Sequence, residues 1–343
     1  MEKKNLNKIL IFLLSFIAGG FLLTSCSDWT EDKSVDINQP THPAYSKYLE
    51  KLRAYKSSDH SYIYAWFDNS EKAPYSRGQH MYDIPDSVDV VILMHPASLA
   101  DFEVKEMQSL KTDKGTQVAY SVSYDAIQKT YEQMVKDETE KNENYEAPAF
   151  LSYLKEKVDD LLALSSTYSY DGIIVSYKGQ STVYMTNEEK AEYTKNQEAF
   201  LSQISTWYNG NKSRFIVFEG SPQFLLDKTL LASCKHIIFN NMNETSANDL
   251  SVEVLEAMDT DVPTDRFIVA ASATSLDPSD KKTGYYGDNR AIIEAAYWVT
   301  EKGNGYTKAG LGIYNIQNDY YNITNVYQYA KKSINIMNPA PIN

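Results

Sequence analysis

A chain of 343 residues with a formal charge of −13 lacks the cationic footprint that phosphate recognition needs, which excludes a nucleic-acid partner. Two cysteines, one of them beside an N-terminal apolar run, and five scattered histidines provide neither an internal disulfide nor a Cys/His zinc cluster, so no metal and no cofactor are expected. The outlier is tyrosine, with 27 copies: its flat apolar face and polar tip suit packing between helices and sheet, and suit sugar rings as well.

The chain opens on a basic segment, MEKKNLNKIL, followed by the apolar run IFLLSFIAGGFLL. That run is short for a membrane span and is closely followed by polar sequence, which predicts a signal peptide over residues 1–25. Leu23-Thr24-Ser25-Cys26 resembles a bacterial lipobox, in which Cys26 would become the lipidated N-terminus and hold the chain to the membrane. The polar, acidic stretch after it reads as a flexible tether over 26–40. Acids directly after the cysteine resemble the surface-export signal of Bacteroidetes lipoproteins. They predict a lipid-anchored, outer-membrane location exposed at the cell surface.

Strand and helix patterns then alternate. A helix over Ser46 to Tyr55 precedes the first strand, YIYAWF, at Tyr62 to Phe67. The second strand, Val88 to His95, leads to a helix from Ala97 to Leu110. QVAYSVSY at Gln117 to Tyr124 is third, with helices following over Ala126 to Lys136 and Ala149 to Leu164. The fourth, within YDGIIVSYKG at Tyr170 to Gly179, is an apolar, β-branched run flanked by helical patterns, as a buried parallel strand should be. By two-residue alternation Ile174, Ser176 and Lys178 share a face. A long helix from Asn187 to Tyr208 follows, with Thr186 as cap and Glu188 and Glu189 in its first turn. FIVFEG at Phe215 to Gly220, HIIFNNMN at His236 to Asn243 and FIVAASAT at Phe267 to Thr274 are fifth to seventh. A helix from Arg290 to Thr300 precedes the eighth, Ala309 to Asp319.

Eight strands alternating with helices over about 300 residues, with no linker-like break, predict an α/β fold: a single (β/α)8 TIM barrel over 41–338. An open doubly wound sheet is the rival. Against it, WFDNSEK follows the first strand where a glycine-rich phosphate loop would stand.

The fourth strand resembles that of glycoside hydrolase family 18, the chitinases and endo-β-N-acetylglucosaminidases, which carries the pattern DG, any, D, any, D, any, E. Asp171, Gly172, Ile173, Val175 and Tyr177 fit it in place and type. Ile174, Ser176 and Lys178 stand where the family has acids. VAYSVSY, FNNMN and GLGIYNIQND are similar to the family's third, sixth and eighth strands, so the resemblance extends over most of the chain after residue 40. The nearest likeness is to the Bacteroidetes lipoprotein branch resembling endoglycosidases that act on N-glycans.

In the family, the last acid protonates the glycosidic oxygen while its neighbour steadies the substrate acetamido group during attack, a substrate-assisted form of carboxylate chemistry. An ammonium with an ordinary pKa near ~10.4 is a poor acid at neutral pH, and its charge opposes a cationic transition state. A hydroxyl supplies no charge to an oxazolinium. Losing one such group typically costs on the order of 100- to 10,000-fold. The resemblance therefore implies no catalytic residue at Ile174, Ser176 or Lys178.

Ligand-contact candidates are Trp66, Asp68, Tyr124, Ser176, Lys178, Glu219, Asn241, Asn243 and Tyr314, all at predicted strand ends, where a barrel places its site. Trp66 suits a sugar face or the core. Glu219 suits an ion pair with Lys178, a hydrogen bond from a sugar hydroxyl, or the role of a relocated acid. Asn240, Asn241 and Asn243 can read hydroxyls or cap a loop. Tyr314 and Asn315 point to opposite faces, and Tyr314 is the favoured inward residue because relatives place an aromatic there.

The expected function is that of a cell-surface glycan-binding lipoprotein with an inactive family-18-like barrel, holding N-glycan or other N-acetylglucosamine-containing chains for a polysaccharide-utilisation system. Its expected partners are the glycan, the membrane and outer-membrane glycan transporter components. The alternatives are an active hydrolase with a relocated acid and a protein-binding scaffold of the uptake complex.

Overall fold

The computed structural model describes residues 43–339, apart from 241 and 243. The expected signal peptide, Cys26 and the tether fall outside the described residues, as do Asn241 and Asn243. Two units are distinguished, Met1–Ser46 and Lys47–Asn343. Residues 43–46 of the first are helical, within α1 (Pro43–Lys56). The barrel belongs to the second.

Eight parallel strands close on themselves. They are β1 (Tyr62–Phe67), β2 (Val90–Leu93), β3 (Gln117–Ser123), β4 (Gly172–Tyr177), β5 (Phe215–Gly220), β6 (Ile237–Asn240), β7 (Phe267–Ser272) and, after the two-residue antiparallel pair β8 (Tyr285–Tyr286) and β9 (Asn289–Arg290), β10 (Lys308–Tyr314). β10 returns to β1 in the register Tyr62 opposite Gly310, so the sheet has no edge. This is the single (β/α)8 barrel that the alternation predicted. Its helices are α2 (Asp101–Ser109), α3 (Tyr124–Lys141), α4 (Phe150–Thr167), α5 (Asn187–Gly210), α6 (Ala247–Ala257), α7 (Ala291–Thr300) and α8 (Gln328–Met337).

The strands are apolar on both faces because both are covered. Tyr64, Trp66, Val90, Ile92, Ala119, Ile174, Val217, Ile238, Ile268 and Ala270 fill the interior. Their alternates, such as Ile63, Val91, Tyr120, Val175 and Phe218, meet the helices. Many tyrosines are buried there with their hydroxyls bonded to backbone: Tyr120 donates to the Leu161 carbonyl of α4 at 2.6 Å and Tyr170 to that of Pro96 in the loop after β2 at 3.0 Å.

The DG pair that opens β4 has a structural reason. Asp171 accepts the Val118 amide at 2.7 Å and pairs with Lys111 at 3.2 Å, tying β4 to β3 and to the segment after α2. Gly172 lies so close to β5 that a Cβ there would sit 2.4 Å from the Phe215 carbonyl oxygen, so a larger residue would push the strands apart.

The N-terminal end of the barrel is closed by a polar cluster. The Tyr64 hydroxyl lies 2.7 Å from His236 Nδ1, and burial pushes the His236 pKa down to about 3. The imidazole is therefore neutral, and it shares a hydrogen bond with the phenol. Asp89 accepts the Ile63 amide at 2.8 Å and pairs with His60 at 2.9 Å.

Two helices depart from the sequence expectation. α6 is capped by Ser246, whose hydroxyl accepts the Asp249 amide while Asp249 accepts back from the Ser246 amide at 2.9 Å. α8 starts where Asp319 accepts the Ala330 amide at 2.8 Å. The expected strand to Asp319 ends at Tyr314, because Asn315 turns left-handed (φ 53°) and a 3-10 turn follows over Ile316–Tyr321.

Candidate functional site at the barrel mouth

The inward residues at the C-terminal strand ends define the mouth. On β4, Ile174 is fully buried in the interior and forms part of its floor. One pleat further on, Ser176 stands opposite Glu219 of β5. β6 contributes Asn240 and β10 contributes Tyr314. Among the described residues, Glu219 is the one acid that the inward-facing strand positions bring to the mouth.

Glu219 is 5 % exposed and held from three sides. The Tyr314 hydroxyl donates to its Oε1, Asn240 Nδ2 donates to the same oxygen at 3.0 Å, and Ser176 adds a third bond. Asn240 also donates to the Tyr314 oxygen at 3.2 Å, which closes a small network. Burial raises the Glu219 pKa, and the bonds from Tyr314, Asn240 and Ser176 pull it partway back. Burial raises that of Tyr314 well above the phenol range, so Tyr314 is a donor.

The ring of Tyr314 stacks on Trp66, with centroids 4.0 Å apart and planes 17° from parallel. Gly312 makes room: a Cβ there would lie 2.9 Å from the indole. Trp66 is only 4 % exposed, so it meets Tyr314 and the interior. Asn315, left-handed just past the strand end, donates to Ser272 Oγ of β7 at 3.2 Å.

Lys178 lies beyond the end of β4 and is exposed. Its amide donates to Asp125 Oδ2 at 2.9 Å. The ion pair with Glu219 that the sequence allowed is not formed: hydroxyl and amide donors occupy that carboxyl. The ammonium instead acts on Glu253 of α6, whose pKa is raised to about 7 by burial and by Glu244 and Glu256, with Lys178 opposing the rise. Asp68, at the β1 rim, faces His95 at 3.3 Å, and its amide donates to Gln317 at 3.2 Å.

The structure thus gathers Trp66, Ser176, Glu219 and Tyr314, leaves Asp68 and Lys178 at the rim, and turns Tyr124 outward. Tyr124 packs against Tyr177 and Phe200 behind the barrel wall, with centroids 5.1 and 5.6 Å apart. Asp125 and Ser272 were missed in the sequence. An acid just after the third strand is a signal for Asp125; a serine ending an apolar strand is a poor one for Ser272.

The sequence profile of glycoside hydrolase family 18, BT1044-like, matches residues 30–336. The chain belongs to this family. Among solved structures, a selenomethionine variant of BT1044 shares 17 % identity over 87 % of this chain and 94 % of its own, with a TM-score of 0.58. The endo-β-N-acetylglucosaminidase of Cordyceps militaris in its apo form shares 15 % over 85 % and 95 %, with a TM-score of 0.56. A variant of that enzyme in complex with fucosyl-N-acetylglucosamine-Asn shares 16 % over the same shares, with a TM-score of 0.54. At these identities the likeness is one of fold. No curated protein matches the chain.

Proposed function

We propose that this family-18 barrel binds an N-acetylglucosamine-containing glycan, such as an N-glycan, without hydrolysing it. The observation that carries the reading is the state of the mouth: its inward acid is buried and bonded to Tyr314, Asn240 and Ser176, while an aliphatic, a hydroxyl and an exposed ammonium stand at 174, 176 and 178. The family route needs an acid beside a second carboxylate. The co-complexed Cordyceps militaris relative supports the ligand class. Ser176, Tyr314, Asp68 and Lys178, with Asn241 and Asn243, are the proposed contacts, and Trp66 supports Tyr314 from below. Lipidation at Cys26, display on the outer membrane and delivery to a glycan transporter complete the proposal. Sugar sites of this kind hold ligand in the micromolar to millimolar range, roughly 4 to 8 kcal/mol.

Glycan-array screening followed by calorimetry, with a sensitive hydrolysis assay on high-mannose glycoprotein, tests the proposal. Binding without turnover is expected. Co-purification with a transporter and no glycan bound would favour a scaffold.

One observation favours a second reading. A carboxyl with a raised pKa is what a general acid requires, and Glu219 has one. Turnover by the parent that disappears in Glu219→Gln would establish hydrolysis and overturn the first proposal.

A further inference from the structure

A cleft of about 710 Å³ lies behind the β3 and β4 side of the mouth rim, within the roughly 300–1,000 Å³ of small-molecule sites. Its walls come from the start of α3, the N-terminal half of α5 and the β4–α5 loop. Tyr124 and Tyr177, which line its inner side, belong to the outer face of the barrel wall. Strands β3 and β4 stand between those two rings and the interior, while Asp125 in the cleft lining accepts the Lys178 amide at the mouth rim, so the cleft adjoins the mouth.

The lining pairs aromatic surface with hydrogen-bonding groups. Tyr184 stands on the lip 95 % exposed, next to Val183 at 77 %, an arrangement that leaves a large apolar face in water. Inside, Asn196 is only 6 % exposed yet lines the cavity beside Gln128 and Gln180. Four carboxylates also line it, and no Lys or Arg does.

Three of those carboxylates are already engaged. Asp125 accepts the Lys178 amide at 2.9 Å, Glu132 accepts from Gln128 at 2.9 Å, and Glu189 caps α5 by accepting the Thr186 amide at 2.8 Å. The cleft is thus less a well of bare negative charge than a wall of acceptors and amides beside an exposed ring. A pyranose matches that pattern: its C–H face lies on an aromatic, and its hydroxyls donate to carboxylates and exchange hydrogen bonds with amides. Repulsion from the acids disfavours a sugar that itself carries a carboxylate or sulfate.

We propose that this cleft is a second carbohydrate site, selective for neutral pyranoses, with Tyr184 as its stacking face and Glu192 and Asn196 as its hydroxyl partners. It goes beyond the mouth site and does not depend on it.

Titration calorimetry on the full chain with N,N′-diacetylchitobiose, lactose and mannobiose, and with 3′-sialyllactose as the anionic probe, tests it. At least one neutral disaccharide should bind saturably and sialyllactose should not. Tyr184→Ala and Glu192→Gln, both on the surface, should each weaken binding about three- to tenfold, with thermal melts unchanged. Lactose, which carries no N-acetylglucosamine for the mouth, should bind Glu219→Gln as it binds the parent. Absence of saturable binding by any neutral probe, or equal binding of sialyllactose, overturns the proposal. Loss of binding in Glu219→Gln with none in Tyr184→Ala would place all recognition at the mouth, sparing the proposed function while overturning this one.

Discussion

The Tyr314 hydroxyl donates to Oε1 of Glu219, joining the last barrel strand to the fifth across the mouth. Removing that donor leaves a buried carboxyl short of a partner, which typically costs about 1.5–3 kcal/mol where one group is charged. Tyr314→Phe should lower the unfolding free energy from urea melts at pH 7 by an amount in that range, through a lower midpoint at an unchanged m value. A loss below about 0.5 kcal/mol would mean that solvent or Asn240 takes over the bond.

Glu219 also predicts a pH dependence. Its folded pKa is raised, so the folded state holds the proton more tightly than the unfolded chain. The stability it contributes is full below the unfolded value of about 4.3 and falls as pH rises through the folded value. Glu219→Gln removes the ionisation and keeps an acceptor. Thermal melts from pH 4 to 9 should show the variant gaining on the parent as pH rises; a constant difference would disprove the coupling.

His236 runs the other way. Its pKa is depressed to about 3, so its contribution is present above the unfolded value of about 6.5 and is lost as pH falls toward 3. His236→Gln keeps a hydrogen-bonding side chain next to Tyr64 and should flatten the acid limb of the stability profile below pH 6.5. An acid limb identical to the parent's would show that other groups set it.

Trp66 lies between the interior and the Tyr314 ring. Trp66→Ala should destabilise the barrel by about 3–5 kcal/mol through the cavity it leaves. The same change should weaken glycan binding at the mouth by releasing Tyr314. Calorimetry on the folded fraction checks the second effect, and undiminished affinity would show that Tyr314 keeps its place unaided.

Placing acids at 176 and 178, where the sequence resemblance expects them, as Ser176→Asp with Lys178→Glu, should add no more than about a hundredfold to background hydrolysis of high-mannose glycoprotein. Ile174 still lies beneath without a polar atom to orient the new carboxylate. Robust turnover from those two changes would show that the remaining site is intact.

The barrel was legible because its strands are β-branched runs, and a strand buried on both faces must be apolar throughout. α6 was overlooked although its Ser246 and Asp249 carry a capping signal, since ANDLSVEVLEA has few strongly apolar residues in its first turns. Alternation separates Tyr314 from Asn315 without saying which is inward, and it is the family resemblance that favours Tyr314, the residue the structure places at the mouth. Alternation does not capture Lys178, because β4 ends at Tyr177 and the two-residue period ends with the strand. The partner of Glu219 was unreadable for a related reason: it depends on β10 lying across the mouth from β5, and no spacing in the sequence encodes that separation.

The stack of Trp66 on Tyr314 joins the first and last barrel strands through side chains as well as through the backbone. The seam at which the sheet closes is therefore also the place where the proposed ligand would be felt. A sugar resting on Tyr314 would load that closure, so glycan should slow amide exchange in the β1–β10 pair.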